Sequence, residues 1–356
     1  MTEQFRNILL IQLGDIGDVV LTTPTIRAVK ETYPDARISI LVRKPFGSLL
    51  IADPHLYEVV ETTKTRGSLL SAIREHLRFA LRLRRAQYDL VIDLRTGDRG
   101  ALLCFLTGAP MRVGQYVQEK QIWRNFVFTK VLYDTPVAAL PVHPGADQSL
   151  RIVRVIGIDT PDSTPKIYLS SPDQIHALEL LNEMGVMPKK FITINPFSRW
   201  KYKEWSNDKW GEVIDRTWET YQIPAVLIGS PEESIGCQEI VMGREGRAFN
   251  LAGKTSLGEL AAVISTSALH LGVDSAAPHI AAAVGVPTVT IHGPTDWRSW
   301  RIVDNYHKVV SPLVDCLPCN KTGCSGSGKS KCLDDLLVPE PVVYETLKLL
   351  AAFLKV

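Results

Sequence analysis

The stretch "LLIQLGDIGDVVLTTPTI", Leu9 to Ile26, decides the fold class. An apolar run leads into Gly14 as a buried strand leads into a tight turn, and a helical pattern follows from Asp18 to Tyr33. The turn carries Asp15 and Asp18 where such units usually cradle phosphate, although a helix N-terminus already favours anions. "GDIGD" lacks the G-x-G-x-x-G spacing of a dinucleotide fingerprint. Two roles stay open for Asp18: it caps the following helix, or it projects from a strand-to-helix turn and serves as a general base.

Working outward, the same alternation of short β-rich runs and helical patterns continues along the chain, which predicts α/β architecture with parallel sheets. The expected strands of the first half are "NILLIQ", "RISILV", "YEVVET", "YDLVIDL" and "RVGQY", with a helix at Ser68–Arg85. "YDTPVAALPVHPGADQS" reads as a long loop, and the proline-rich stretch at Asp159–Asp173 reads as a linker. The second half restarts with "FITINP", "AVLIGS", "AFNLAG", "LHLGVD" and "VPTVTIHG". Its helical patterns fall at Asp208–Tyr221, Glu232–Gly243, Ser256–Thr266 and Ala277–Val284, and an amphipathic helix closes the chain at Glu340–Val356. The expected domains are 1–165, 166–338 and a C-terminal helix at 339–356 that packs back on the first domain. Two Rossmann-like halves place the expected active site in a cleft between them, near the carboxyl ends of the strands.

Composition narrows the function classes. A chain of 356 residues with 45% hydrophobic and 22% charged residues reads as a globular protein with room for two cores. A formal net charge of +2 does not suggest a nucleic-acid partner. No apolar run is long enough to span a bilayer, and the N-terminal apolar run ends in a glycine-acid turn rather than a signal-peptide pattern. The expected compartment is the cytoplasm.

Two further stretches carry chemistry. "LGVDSAAPHIAAAVGVPTVTIHGPTDW", Leu271–Trp297, reads as strand, small-residue turn, short helix and strand. Asp274, Ser275 and Ala276 would present backbone N–H groups and a hydroxyl to a diphosphate, with His279 on the next turn. "NPFSRWKYKEWSNDKW", Asn195–Trp210, follows a strand with four basic residues that could neutralise a leaving diphosphate; the alternative is a solvated face over the core edge. "GCSGSGKS", Gly323–Ser330, satisfies the Walker A pattern but has neither the preceding strand nor the following helix, so it is set aside. The cysteines Cys316, Cys319, Cys324 and Cys332 are spaced as a zinc site only in the first pair and read as reduced thiols packing a loop.

"GDIGDVVLTTPTIRAVKETYP" and "VDSAAPHIAAAVGVPTVTIHGPTDW" together resemble the ADP-heptose-dependent heptosyltransferases, which build the inner core of bacterial lipopolysaccharide. "CLPCNKTGCSGSGKSKCLDDL" further resembles the heptosyltransferase III branch. The resemblance implies a GT-B fold, with two Rossmann-like domains facing each other across a cleft. It also implies inverting, metal-independent transfer of heptose from ADP-L-glycero-D-manno-heptose to a heptose hydroxyl, with no cofactor. By this resemblance Asp18 matches the catalytic aspartate and Lys203 a lysine at the donor diphosphate, with Lys201 as its rival because one extra residue follows Ser198. Ser198, Glu233, Thr255, Asp274, Ser275, Ala276 and His279 match donor contacts; Ala276 stands where glycine is common.

Acceptor recognition is expected from the first domain, on the helix carrying Arg74, Arg78, Arg82, Arg84 and Arg85, near anionic lipopolysaccharide and the cytoplasmic face of the inner membrane. The competing readings are a solvated helix face, a two-domain nucleotide-sugar epimerase, and a non-catalytic nucleotide-sugar-binding protein.

Overall fold

The computed structural model describes residues 4–63, 68–118, 122–133, 143–302 and 304–354. The chain divides into two compact units, Met1–Tyr168 and Leu169–Val356.

The first unit holds β1 (Asn7–Gln12), β2 (Arg37–Arg43), β3 (Glu58–Thr62), β4 (Leu90–Asp93), β5 (Met111–Gln115) and β6 (Lys130–Leu132). Their order is β3-β2-β1-β4-β5-β6, with every neighbouring pair parallel. Its helices are α1 (Ile16–Leu21), α2 (Thr23–Thr32), α3 (Leu69–Arg85), α4 (Asp98–Thr107), α5 (Ile122–Phe126) and α6 (Pro144–Arg154). A parallel strand covered on both faces reads as an unbroken apolar run, and Ile8 to Ile11 of β1 are fully buried. The period of two then divides them. Ile8 and Leu10 pack with Ile26, Val29, Leu150 and Val153, whereas Leu9 and Ile11 pack with Leu83, Ala101 and Cys104 on the other face.

The pattern read as one helix over Asp18–Tyr33 is two, joined at Thr22, because Pro24 enters the first turn of α2 without the N–H that a continuous helix needs. Of the expected loop at Tyr133–Ser149, residues 134–142 lie outside the described residues. The part from Pro144 onward is the start of α6, whose Leu150, Ile152 and Val153 are buried.

The second unit repeats the plan with β7 (Ile192–Asn195), β8 (Ala225–Leu227), β9 (Ala248–Asn250), β10 (Leu269–Val273), β11 (Thr288–Ile291) and β12 (His307–Val310). Its order, β12-β11-β10-β7-β8-β9, is again wholly parallel and is the order of the first sheet. The helices are α7 (Ser171–Glu183), α8 (Asn207–Tyr221), α9 (Ser234–Val241), α10 (Leu257–Ser265), α11 (Ala277–Ala283) and α12 (Pro339–Leu354). The sequence reading leaves α12 to pack back on the first unit. Its buried Val342, Val343, Leu349 and Leu350 instead join Trp210, Val213 and Ile214 of α8 in the core of the second, which covers its apolar face.

Candidate active site

In a sheet of this order the first and fourth strands lie side by side while their outgoing connections diverge, which opens a crevice at their carboxyl ends. In the first unit those strands are β1 and β4, and in the second β7 and β10.

At the first crevice, Asp15 is the N-cap of α1 and Asp18 is its third residue. Asp18 Oδ2 accepts from the Asp15 N–H at 2.8 Å, closing a capping box. The capping role is therefore real, but it engages one oxygen only. The other, Oδ1, accepts from Arg95 Nη1 at 2.8 Å across the crevice from the end of β4. The Asp18 side chain is 14% exposed. Burial raises its pKa from the ordinary 3.8, while Arg95 and the Asp15 N–H pull the other way. Gly14 is required here: a side chain on it would collide with the Asp18 carboxylate. Asp15, by contrast, is exposed and ion-paired with Arg43, which also donates to the Gly14 carbonyl.

At the second crevice, Lys203 Nζ donates to Asp274 Oδ2 at 2.7 Å, with both side chains largely buried. Thr295 Oγ1 donates to the same oxygen at 2.6 Å. Burial alone would push Asp274 up, but His292, Lys203 and Thr295 together hold it below the ordinary 3.8. His292 is itself pushed down by burial, so the cation that counts at neutral pH is Lys203. Ser275 Oγ donates to Asn195 Oδ1 at 2.6 Å, and Asn195 Nδ2 donates to the Ile228 carbonyl at 3.2 Å, which ties the ends of β10, β7 and β8 together. His279 stands beside the Trp300 ring, with its buried Nδ1 lacking a hydrogen-bond partner among the described residues. Burial lowers its pKa to about 4, so at neutral pH it is an uncharged hydrogen-bonding group and not a cation.

The remaining expected donor residues lie on the loops that leave the same strand ends. Ser198 is buried after β7; its N–H donates to Glu204 Oε1 at 2.9 Å and its hydroxyl accepts from the Trp200 N–H. Glu233, after β8, accepts from the Ser230 N–H at 2.8 Å, and burial raises its pKa. Thr255 lies half-buried in the turn after β9, and Ala276 is the N-cap of α11. The rival Lys201 turns away: its side chain is 73% exposed and paired with Glu204.

On α3, Arg74 and Arg78 are exposed, and Arg82 is ion-paired with Glu58 at 2.6 Å. Ile73, Leu77 and Leu81, spaced four apart on the same helix, are also exposed. Residues 323–330 form turns with one short 3₁₀ segment at Cys324–Gly326. All six cysteines are free, and burial pushes the Cys332 thiol up to about 11, with Cys324, Cys316 and Cys319 adding to the rise. Among the described residues no group of three or more His, Cys, Asp or Glu is placed to hold a metal ion.

Sequence reasoning missed Arg95, Asn195 and Thr295. Each sits at the carboxyl end of a central strand or just beyond it, and that position was the available signal: Arg95 follows "VIDL", Asn195 ends "ITIN", and Thr295 lies in "HGPTDW".

Residues 76–329 match the family model of glycosyltransferase family 9 (heptosyltransferase), a span that excludes Asp18. The chain is 32% identical over 294 residues to lipopolysaccharide heptosyltransferase 3 of Escherichia coli K12, covering 80% of this chain and 82% of that protein. It belongs to glycosyltransferase family 9. Among solved structures, a family 9 glycosyltransferase from Veillonella parvula superposes with a TM-score of 0.82 at 22% identity, covering 99% of both chains. The E. coli ADP-heptose lps heptosyltransferase II superposes with a TM-score of 0.77 at 20% identity, covering 97% of this chain and 99% of that one. The fold is thus that of the GT-B heptosyltransferases, and the protein is a glycosyltransferase. No helix among the described residues is long and apolar enough to cross a membrane.

Proposed function

We propose that this enzyme transfers heptose from ADP-L-glycero-D-manno-heptose to a heptose hydroxyl of the lipopolysaccharide inner core, with inversion at the anomeric carbon. The observation that carries the reading is Asp18. It is a mostly buried carboxylate at a topological switch point, and each of its oxygens makes one short hydrogen bond, which leaves lone-pair capacity to take a proton. The acceptor O–H bond breaks and its proton passes to Asp18. The freed electron pair forms the new bond to the anomeric carbon as the bond from that carbon to the phosphate oxygen breaks, and ADP leaves with that pair from the opposite face. Arg95 and the Asp15 N–H offset only part of the burial that raises its proton affinity.

The donor is read at the second crevice. Lys203 and the Ser275 turn meet the diphosphate, His279 acts as a neutral hydrogen-bonding partner, and Ser198, Glu233, Thr255, Asp274 and Ala276 surround the nucleotide-sugar. Lys203 supplies the charge that a metal ion would otherwise supply, so transfer is read as metal-independent. In the first unit, Arg74, Arg78 and Arg82 are read as acceptor contacts. The exposed Ile73, Leu77 and Leu81 beside them support peripheral attachment to the cytoplasmic face of the inner membrane.

The test incubates the protein with ADP-heptose and lipopolysaccharides truncated at successive core sugars. One acceptor should gain the mass of one heptose, with inverted configuration by NMR and an unchanged rate in chelator. Donor isomerisation or hydrolysis with no acceptor product would sink the transferase reading.

A further inference from the structure

A cavity of about 440 Å³ opens in the second unit beside the carboxyl ends of β11 and β12, lined in part by Thr295, whose hydroxyl donates to Asp274. That volume is in the range of small-molecule sites. Val309, Pro312, Val314 and Leu317 give it an apolar wall. On the polar side stands Trp297, with the Arg298 guanidinium 4.7 Å and the Arg301 guanidinium 5.0 Å from its ring centre.

The charges in this cavity do not balance. Arg298 has Asp296 as its ion-pair partner at 3.5 Å. Asp304 is engaged by the His307 ring at 3.5 Å and by the Tyr306 and His307 N–H groups. Arg301 and Lys308, both half-buried, have no carboxylate partner among the described residues. Arg298, Arg301 and Lys308 thus outnumber the one carboxylate in the cavity lining, Asp304, and two partly desolvated cations outside any described ion pair form a site for an anion.

The nucleotide-sugar donor offers only its two phosphates, which the proposed function assigns to Lys203 and the Ser275 turn. Arg301, His307 and Lys308 also border the recess that holds Asp274, Ser275 and His279, so the cavity adjoins the candidate donor site. We infer that the cavity takes an anionic substituent, phosphate or carboxylate, of the acceptor saccharide, and that Arg301 and Lys308 make the enzyme selective for a charged acceptor. The inference rests on the transferase reading and extends acceptor recognition to the second unit.

The test compares the parent with the double variant Arg301→Gln/Lys308→Gln, each saturated with ADP, by calorimetric titration. The ligands are delipidated core oligosaccharide, the same oligosaccharide treated with phosphatase, and its carboxyl-reduced form. The intact oligosaccharide should bind the double variant roughly tenfold or more weakly, while the ADP dissociation constant stays the same. One of the two treatments should abolish the difference, and which one identifies the recognised group. If the double variant melts early, Lys308→Gln alone carries the comparison. Equal binding to parent and variant, a difference that survives both treatments, or a parallel loss of ADP affinity would each overturn the assignment. Because binding is read without turnover, charge-dependent binding with no heptose transfer refutes the proposed function and leaves the cavity standing. Unaltered binding in a transferring double variant refutes the cavity alone.

Discussion

Asp18 and Asp274 occupy matching crevices in their two units and meet their cations in opposite chain order. In the first unit the acid follows the first strand and the cation, Arg95, follows the fourth; in the second, Lys203 follows the first strand and the acid follows the fourth. Their side chains are similarly buried, at 14% and 10% exposure, yet their proton affinities move apart. Asp274 has His292 beside it and takes both an ammonium and a hydroxyl on one oxygen, and together these outweigh burial. Asp18 has one N–H and a guanidinium that is itself 39% exposed and screened by water, so burial wins. The matching crevices thus hold a carboxylate of raised proton affinity in one unit and one of lowered proton affinity in the other.

The largest expected effect breaks the first pair. Asp18→Asn should lower turnover by about 10²–10⁴-fold, since the amide cannot take the acceptor's proton. The asparagine amide oxygen can still accept the Asp15 N–H that closes the capping box, so the melting temperature should hold, and ADP affinity should be unchanged. Parent-rate transfer by this variant would remove Asp18 from the reaction. The exposed, Arg43-paired Asp15 would then be the next carboxylate to test.

Lys203→Gln breaks the second pair with a different signature. ADP should bind roughly tenfold or more weakly, as expected for one lost charge-assisted contact. The melting temperature should also fall, because buried Asp274 loses its ammonium while Thr295 remains. Titration with ADP alongside thermal unfolding checks both. Lost stability with parent ADP affinity would make Lys203 a purely structural cation.

How much of this contrast was readable in the sequence depends on where each residue lies. The central strands announce themselves because burial on both faces demands apolar runs, unbroken from Ile8 to Ile11 in "NILLIQ". The final strand of each sheet, β6 "KVL" and β12 "HKVV", passed unread because an edge strand is short and half-exposed. Helix α6 was hidden by Pro144 and Gly145, residues that signal loops but that a first helical turn tolerates. At the site, Asp18, Lys203 and Asp274 were legible as motif members, yet neither pairing was, and Arg95 was missed. Arg95 is 77 residues from Asp18 and Asp274 is 71 from Lys203, so only the sheet order brings them together. The opposite pKa shifts follow from that pairing and were out of reach of composition or spacing.

Acid should separate the two units next. Burial lowers His270 to about 3 and His279 to about 4, from an ordinary 6.5. Between pH 6.5 and those values the unfolded chain binds protons that the folded second unit refuses. The stability these rings contribute is therefore whole above pH 6.5 and is lost as pH falls through that window. Fully buried His270 contributes a slope of up to about 1.4 kcal/mol per pH unit. Asp18 acts in the reverse sense: its raised pKa means the folded first unit takes up a proton more readily than the unfolded chain, so mild acid relieves it. Of the seven tryptophans only Trp123 lies in the first unit, so fluorescence follows the second. Its unfolding temperature should drop between pH 7 and pH 5. An unchanged midpoint across that range would contradict the neutral burial of these rings.

The smallest expected effect sharpens the assignment of the lysine. Lys201 and Lys203 are two residues apart on one short 3₁₀ turn, and the sequence alone does not choose between them. The structure separates their surroundings: Lys203 lies against Asp274 at the strand ends, whereas Lys201 extends into solvent and holds Glu204 at 3.1 Å. An ion pair whose cation stands in solvent is worth roughly 0–1 kcal/mol. Glu204 also keeps its second partner, the Ser198 N–H at 2.9 Å, when the lysine is removed. Lys201→Ala should therefore leave the melting temperature and the ADP dissociation constant near parent values, while the Lys203 variant loses both. The reverse result, with ADP weakened at position 201 and kept at 203, would move the diphosphate to the exposed side of the turn. The Lys203–Asp274 pair would then be only a brace between β7 and β10.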